Sequence, residues 1–284
     1  MSRLPQPRRR GAPGARRAVA LTAAMLLGAV AIASAHDMFV KPDRFFVAEN
    51  TEVLVRLLNG TFSKSENSIA RNRLRDVSVV SPDGRAQLDT AQWGVAGDTS
   101  TFRARTAGAG TYVLGVSTTP NVIALEAKDF NLYLREDGIP DVLAARRAGG
   151  ELDRPARERY AKHVKALVQV GEARSDHYAT ALGYPAEIVP LDNPYAPGGG
   201  RVLRVRTLVD GEPAANQYVV YGGRTPGGAR IAQRSVRSDA DGIARVPVRG
   251  AGTWYVKFIH MARLESDTTA DYESKWATLT FQRR

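Results

Sequence analysis

The sequence predicts a mainly β protein: two antiparallel Ig-like β-sandwich domains joined by a short helical insert. Three observations carry this. Short runs with period-two alternation, each closed by Gly, Pro, Asn or Asp, fill residues 36–125 and return over 201–284. Between them, from Glu126 to residue 188, the apolar period lengthens to that of a helix. The stretch "VPLDNPYAPGGG", 189–200, is dense in Pro and Gly and reads as the linker to the second sandwich.

Residues 1–35 precede any of this and read as a signal peptide. Six arginines form a basic leader, Ala18–Ala33 form an apolar stretch, and Ala33-Ser34-Ala35 supplies a small-residue cleavage site. The apolar stretch is shorter than the ~20 residues a spanning helix needs, so no stable membrane span is expected after cleavage. The chain carries +11, and the leader's six arginines, with no acid, leave +5 on the mature part. That modest excess, interspersed with acids, argues against nucleic acid as a partner. There is no cysteine, so the fold is held by its core rather than by disulfides. The expected location is the bacterial periplasm, with cleavage after Ala35.

In the first sandwich, "TEVLVRLLNG" alternates and stops at Asn59-Gly60, and "RDVSVVSPDG" runs into a Pro-Asp-Gly turn. "STFRARTAGAG" and "GTYVLGVSTTP" follow, while "TFSKSENSIARNR", 61–73, is a polar loop. In the insert, Pro140 opens "PDVLAARRAGG", which stops at a Gly pair. Pro155 opens a second predicted helix, "PARERYAKHVKALVQV", with Tyr160, Val164, Leu167 and Val168 as its apolar stripe. In the second sandwich the strands are "RVLRVRTLV", "NQYVVYGG", "RIAQRSVRS", "IARVPV", "GTWYVKFIHM" and "KWATLTF". "SDADG", 238–242, lacks the later ligands of a calcium loop and reads as a turn. "AGAGTYVL" (107–114) and "RGAGTWYV" (249–256) place the same Gly-Ala-Gly-Thr-aromatic run at the entry to a strand in each sandwich.

Four histidines carry the candidate chemistry. Cleavage after Ala35 would put His36 at the mature N-terminus, where its α-amine and Nδ1 form a chelate for one ion. One further histidine would complete a three-nitrogen brace, a donor set suited to copper and nickel. The amine, with a reference pKa of about 7.7–8.0, must lose its proton to bind. His260 is the leading partner, because it follows Trp254, Val256 and Phe258 on one face of a strand. The neighbouring loop offers Asp267, Asp271 and Glu273 as further ligands or acceptors. His163 reads as a packing residue and His177 as a loop residue. The sequence holds no His-Glu-x-x-His, phosphate loop, Gly-x-Ser-x-Gly or post-strand dinucleotide fingerprint, so the expectation is a protein that is not an enzyme.

The leader followed by "AHDMFVKP", then "LNGTFSKSENSI", "RERYAKHVKALVQVG", "EIVPLDNPY", "GTWYVKFIHM" and "DYESKWATLTF", resembles a bacterial family of periplasmic domains of unknown function. Its members are often labelled as a periplasmic component of a cobalt or nickel ABC-type transport system, and the resemblance covers nearly all of the mature chain. From Arg201 the sequence also resembles transthyretin-like or carboxypeptidase-regulatory-like sandwiches. The resemblance implies His36 and His260 as metal positions, a nickel, cobalt or copper ion as ligand, and a membrane metal transporter as partner. It does not extend to a hinge-closing solute-binding protein, since the alternating strands and helices of two α/β lobes are absent. Two other functions fit the same residues: an envelope module binding a protein or glycan, and a copper-dependent oxidase using the brace.

Overall fold

The computed structural model describes Met1, residues 36–198 and residues 200–284. The expected leader and its cleavage site lie outside the described residues, His36 excepted. Nine strands come first: β1 (Asp37–Pro42), β2 (Phe46–Val47), β3 (Glu52–Gly60), β4 (Leu74–Ser81), β5 (Gly84–Gln87), β6 (Gly94–Ala96), β7 (Thr99–Arg105), β8 (Gly110–Thr118) and β9 (Asn121–Leu125). Helices α1 (Ala127–Glu136) and α2 (Pro140–Ala148) follow, then β10 (Ala156–Val170) and β11 (Ala186–Pro190). The rest is β12 (Val202–Val209), β13 (Glu212–Pro213), β14 (Tyr218–Arg224), β15 (Arg230–Arg237), β16 (Ile243–Pro247), β17 (Gly252–Arg263) and β18 (Tyr272–Arg283). The fold is mainly β, with 51% strand against 12% helix among the described residues.

The predicted helix over 155–170 is instead the 15-residue strand β10. It lies inside the largest sheet, whose order is β15-β14-β17-β18-β10-β8-β4-β5. β10 runs parallel to β18, Glu158 opposite Tyr272 through Ala166 opposite Thr280, and antiparallel to β8 at Leu167–Val170. The sequence misleads here because both faces of the strand are covered, so the polar-out alternation that marks a half-buried strand is missing. Lys162, His163, Lys165 and Gln169 are all buried, and each meets a polar partner inside the protein. Tertiary pairing outweighs the helical spacing of Tyr160, Val164 and Leu167.

A consequence is that the two sandwiches share their middle sheet. The four-stranded sheet β1-β3-β7-β6 covers one face, with Val40, Val55, Leu57 and Phe102 packed against Val79, Tyr112, Leu114, Val164 and Val168. The sheet formed by β11, β12, β13 and β16 covers the other, with Ile188, Val205, Ala244 and Val246 against Leu167, Val219, Trp254, Phe258 and Leu279. Along β10, Val164 and Val168 belong to the first core and Leu167 to the second. Helix α1 adds a third cluster in which Phe130 and Leu134 meet Ile259 and Trp276. The linker is shorter than predicted at its start, because Val189 and Pro190 end β11.

The repeated Gly-Ala-Gly-Thr-aromatic run does equivalent work twice. Gly110 and Gly252 open β8 and β17, and a Cβ would sit 2.6 Å from Pro82 Cγ at the first and 2.5 Å from the Arg224 carbonyl at the second. Two residues on, Tyr112 and Trp254 enter the two different cores. The Asp-Gly turn at 239–242 is a strand connection as expected, Asp239 Oδ1 accepting from the backbone N–H groups of Asp241 and Ile243.

Candidate functional site

Strand β1 alternates in the simplest way. Met38 and Val40 enter the first core, while Phe39 packs with Phe62 and Tyr255 on the other side. By the same alternation Asp37 shares the side of Phe39, and there it meets β17. Lys257, in the middle of β17 and 3% exposed, donates to both carboxylate oxygens of Asp37, at 2.7 and 2.6 Å, and to Asp137 Oδ1 at 3.1 Å. Two anions around one buried cation make the cluster net negative.

A second buried lysine holds the preceding residue. Lys162 donates to the His36 carbonyl oxygen and to Asn59 Oδ1 at 3.2 Å. Its register partner on β18 is Trp276, which pairs in turn with Ile259 on β17, so Lys162 and Lys257 rise from one face of the shared sheet. Thr278, between them, donates to the Met38 carbonyl at 2.9 Å. Three side chains of the central sheet thus grip the His36 and Met38 carbonyls and the Asp37 carboxylate.

Electrostatics follow from this burial. Burial pushes Lys162 down to about 8, opposed by Asp37, Glu158 and Asp137, so it stays largely charged at neutral pH. Burial also works to lower Lys257, but the charges of Asp37 and Asp137 outweigh it and hold the ammonium above its ordinary range. Asp137 is pushed up to about 6 by burial, against the pull of Lys257.

The gripped segment borders a cleft of about 410 Å³. His36, Asp37 and Phe39 form one side with Phe62 and Glu66, and Arg224, Arg230 and Tyr255 approach from β14, β15 and β17. His36 Nδ1 lies 3.3 Å from Glu66 Oε2. Glu66 is fixed by the loop after β3, where its N–H donates to the Asn59 carbonyl at 2.9 Å and Ser65 Oγ accepts from Asn59 N–H at 3.0 Å.

His260 does not join this site. It leaves β17 on the face of Trp254, Val256 and Phe258, as the alternation predicts, whereas Lys257 and its carboxylates occupy the opposite face. Its Nδ1 lies 3.3 Å from Gln217 Oε1, and burial lowers its pKa. The acids expected to support it are engaged elsewhere: Asp271 by Arg157, and Asp267 and Glu273 by Arg159. His163 is buried with Nδ1 2.9 Å from Ser117 Oγ, and His177 Nδ1 lies 3.0 Å from Ser175 Oγ. Among the described residues no three His, Asp or Glu side chains are gathered as a metal cage. The His36 imidazole and the Glu66 carboxylate are two donors brought together at the cleft.

Residues 33–262 match the family model described as domain of unknown function DUF4198. The chain belongs to the DUF4198 family. The matched range stops within β17, yet β18 lies between β17 and β10 in the shared sheet, so the folded unit of this DUF4198 protein extends past it. No curated protein matches the chain. Among solved structures it is similar to a DUF4785 family protein from Legionella pneumophila at 11% identity, over 78% of this chain and 50% of that one, with a TM-score of 0.23. It is also similar to trypsin-activated alpha-2-macroglobulin from Escherichia coli, at 11% identity over 88% and 16%, TM-score 0.21. A tetra-tandem repeat of a large adhesion protein gives 14% identity over 86% and 48%, TM-score 0.21. The chain thus spans half or less of the length of each. No helix among the described residues is long and apolar enough to cross a membrane.

Proposed function

We propose that this DUF4198 protein is a periplasmic accessory protein that binds nickel, cobalt or copper at His36 and serves a membrane metal transporter. The observation that carries the reading is the grip on residues 36–38. A chain end left over from processing is ordinarily frayed, whereas here Lys162, Lys257 and Thr278, all buried, hold it against the wall of a cleft. With cleavage after Ala35, the His36 amine and Nδ1 would chelate one ion, and Glu66 would add an oxygen donor in the place first assigned to His260. Imidazole and amine nitrogens favour these metals over calcium or magnesium. The resemblance to chains labelled as cobalt or nickel transport components supports the same assignment, with residues 201–284 as a carboxypeptidase-regulatory-like support.

The test is a calorimetric titration with Ni²⁺, Co²⁺ and Cu²⁺ of protein verified to begin at His36, beside a form with one extra residue before it. Tight binding is expected in the first form only, and Glu66→Gln is expected to weaken it by about tenfold, the usual scale for a supporting group at a metal site. Affinity is expected to fall as pH drops through about 7.7–8.0, where the amine takes up its proton. Unchanged affinity in His36→Ala would remove the site.

A further inference from the structure

A second cleft, of about 810 Å³, shares no lining residue with the first. It opens where β2, the turn after β10, the loop 194–198 and the end of β18 meet. Arg44, Arg174, Arg283 and Arg284 line it, against a single acidic side chain, Glu172.

Several guanidinium groups elsewhere are matched to carboxylates, as in Arg157 with Asp271, Arg159 with Asp267, Arg204 with Asp192 and Arg263 with Glu151. In the cleft Arg174 and Arg284 are held by neutral groups. Arg174 donates through Nε to the Tyr195 carbonyl at 3.0 Å and through Nη1 to the Glu172 carbonyl. Arg283 Nη1 donates to the carbonyls of Gly200 and Val248, each at 2.9 Å. Arg284 lies over the ring of Phe46, 3.8 Å from its centre. Arg44 donates to the Glu52 carbonyl at 3.4 Å and has Asp43 at 3.8 Å. A carbonyl or a ring face fixes a guanidinium without cancelling its charge, and Arg174 keeps its Nη2 edge for another acceptor. Beneath, Gln169, 1% exposed, gathers the carbonyls of Val170, Gly171 and Ala173 at 2.7 to 3.2 Å, which sets the turn that carries Arg174.

We propose that this cleft binds a multiply charged oxyanion of the phosphate class. Planar guanidinium forks match such an anion through paired, charge-assisted hydrogen bonds. A concave surface lined by one sign of charge also concentrates the opposite ion. The volume exceeds that of a phosphate, leaving space for the remainder of a phosphate ester, either a soluble compound or the headgroup of a phospholipid.

The test uses calorimetry with inorganic pyrophosphate, and co-sedimentation with vesicles of phosphatidylglycerol in phosphatidylcholine beside vesicles of phosphatidylcholine alone. The double variant Arg44→Gln/Arg284→Gln leaves the carbonyl bonds of Arg174 and Arg283 intact, and an unchanged melting temperature checks that it folds. Binding of pyrophosphate, or of the phosphatidylglycerol vesicles only, is expected in the wild type and about tenfold weaker or worse in the variant, the scale of losing charge-assisted hydrogen bonds. Pyrophosphate binding points to a soluble ester, and vesicle binding alone points to a headgroup. Equal binding by a folded variant, or no binding of either probe by the wild type, overturns the proposal.

Discussion

Replacing Lys257 with methionine is expected to lower the free energy of unfolding by about 3–5 kcal/mol, the range for breaking a buried ion pair from one side. The side chain of Lys257 is 3% exposed, and those of Asp37 and Asp137 are 18% and 20% exposed, so bulk water screens the cluster little. Methionine preserves most of the lysine volume and leaves the two carboxylates without their hydrogen-bonded counter-ion, Lys162 acting on them only through space. The triple variant with Asp37→Asn and Asp137→Asn removes those stranded charges, and it is expected to recover most of the loss. Urea unfolding at pH 7.5 measures both. A repeat at pH 5 adds a sign test. Asp137 has a folded pKa of about 6 against an ordinary 3.8. It therefore takes up a proton in the folded state before the unfolded one, favouring the folded state as pH falls through that window. The Lys257→Met penalty is then expected to shrink at pH 5. A loss below about 1 kcal/mol at pH 7.5 would mean that the cluster is far wetter than its exposure indicates.

The same cluster couples stability to the candidate site. Asp37 adjoins His36, and the Lys257 bonds to its carboxylate are part of what holds residues 36–38 at the cleft. A variant that releases Asp37 is accordingly expected to weaken metal binding even though Lys257 touches no metal.

The parts that the sequence makes legible are those with local causes. Strands β3, β8, β12 and β17 alternate and end at turn residues, and α2 begins at Pro140 and ends before Gly149-Gly150. The position of His260 on the apolar face of β17 is likewise visible in the alternation. What is not legible is which faces meet. β10 lies between two cores, so its inward polar residues imitate the polar side of a helix, and its pairing with β8, β9 and, over a hundred residues away, β18 identifies it as a strand. The site has the same character. His36 stands out by its place after the expected cleavage point, but Lys257 lies 220 residues from Asp37 and Lys162 lies 126 from His36. A lysine in the middle of the apolar run "TWYVKFIHM" was the available signal for a buried cation, without any sign of its partners. The same long-range pairing explains why His260 fails as a partner of His36: its face of β17 belongs to the other core.

Acidification is expected to destabilise the protein through His163 by about 3 kcal/mol between pH 6.5 and 4, at about 1.4 kcal/mol per pH unit. The imidazole is 1% exposed, lies 2.9 Å from Ser117 Oγ through Nδ1, and has no hydrogen-bond partner at Nε2 among the described residues. Burial lowers its pKa from 6.5 to about 4; Arg75 and Lys275 act in the same direction, and Glu187 and Asp210 oppose them. The unfolded chain therefore binds this proton from pH 6.5 downward while the folded chain refuses it until about 4. Stability from the neutral ring is complete above pH 6.5 and is lost as the pH falls to 4. His163→Gln removes the titration and is expected to flatten this part of the profile, whatever it does to stability at pH 7. Carboxylates held below their ordinary range, such as Glu187, Asp192 and Asp271, also lose stabilisation in acid, but they do so in both proteins. The difference between the two urea midpoint curves from pH 7 to 4 consequently isolates the histidine. Parallel curves would show that His163 protonates in place, and would require water or a partner at Nε2 inside the shared sheet.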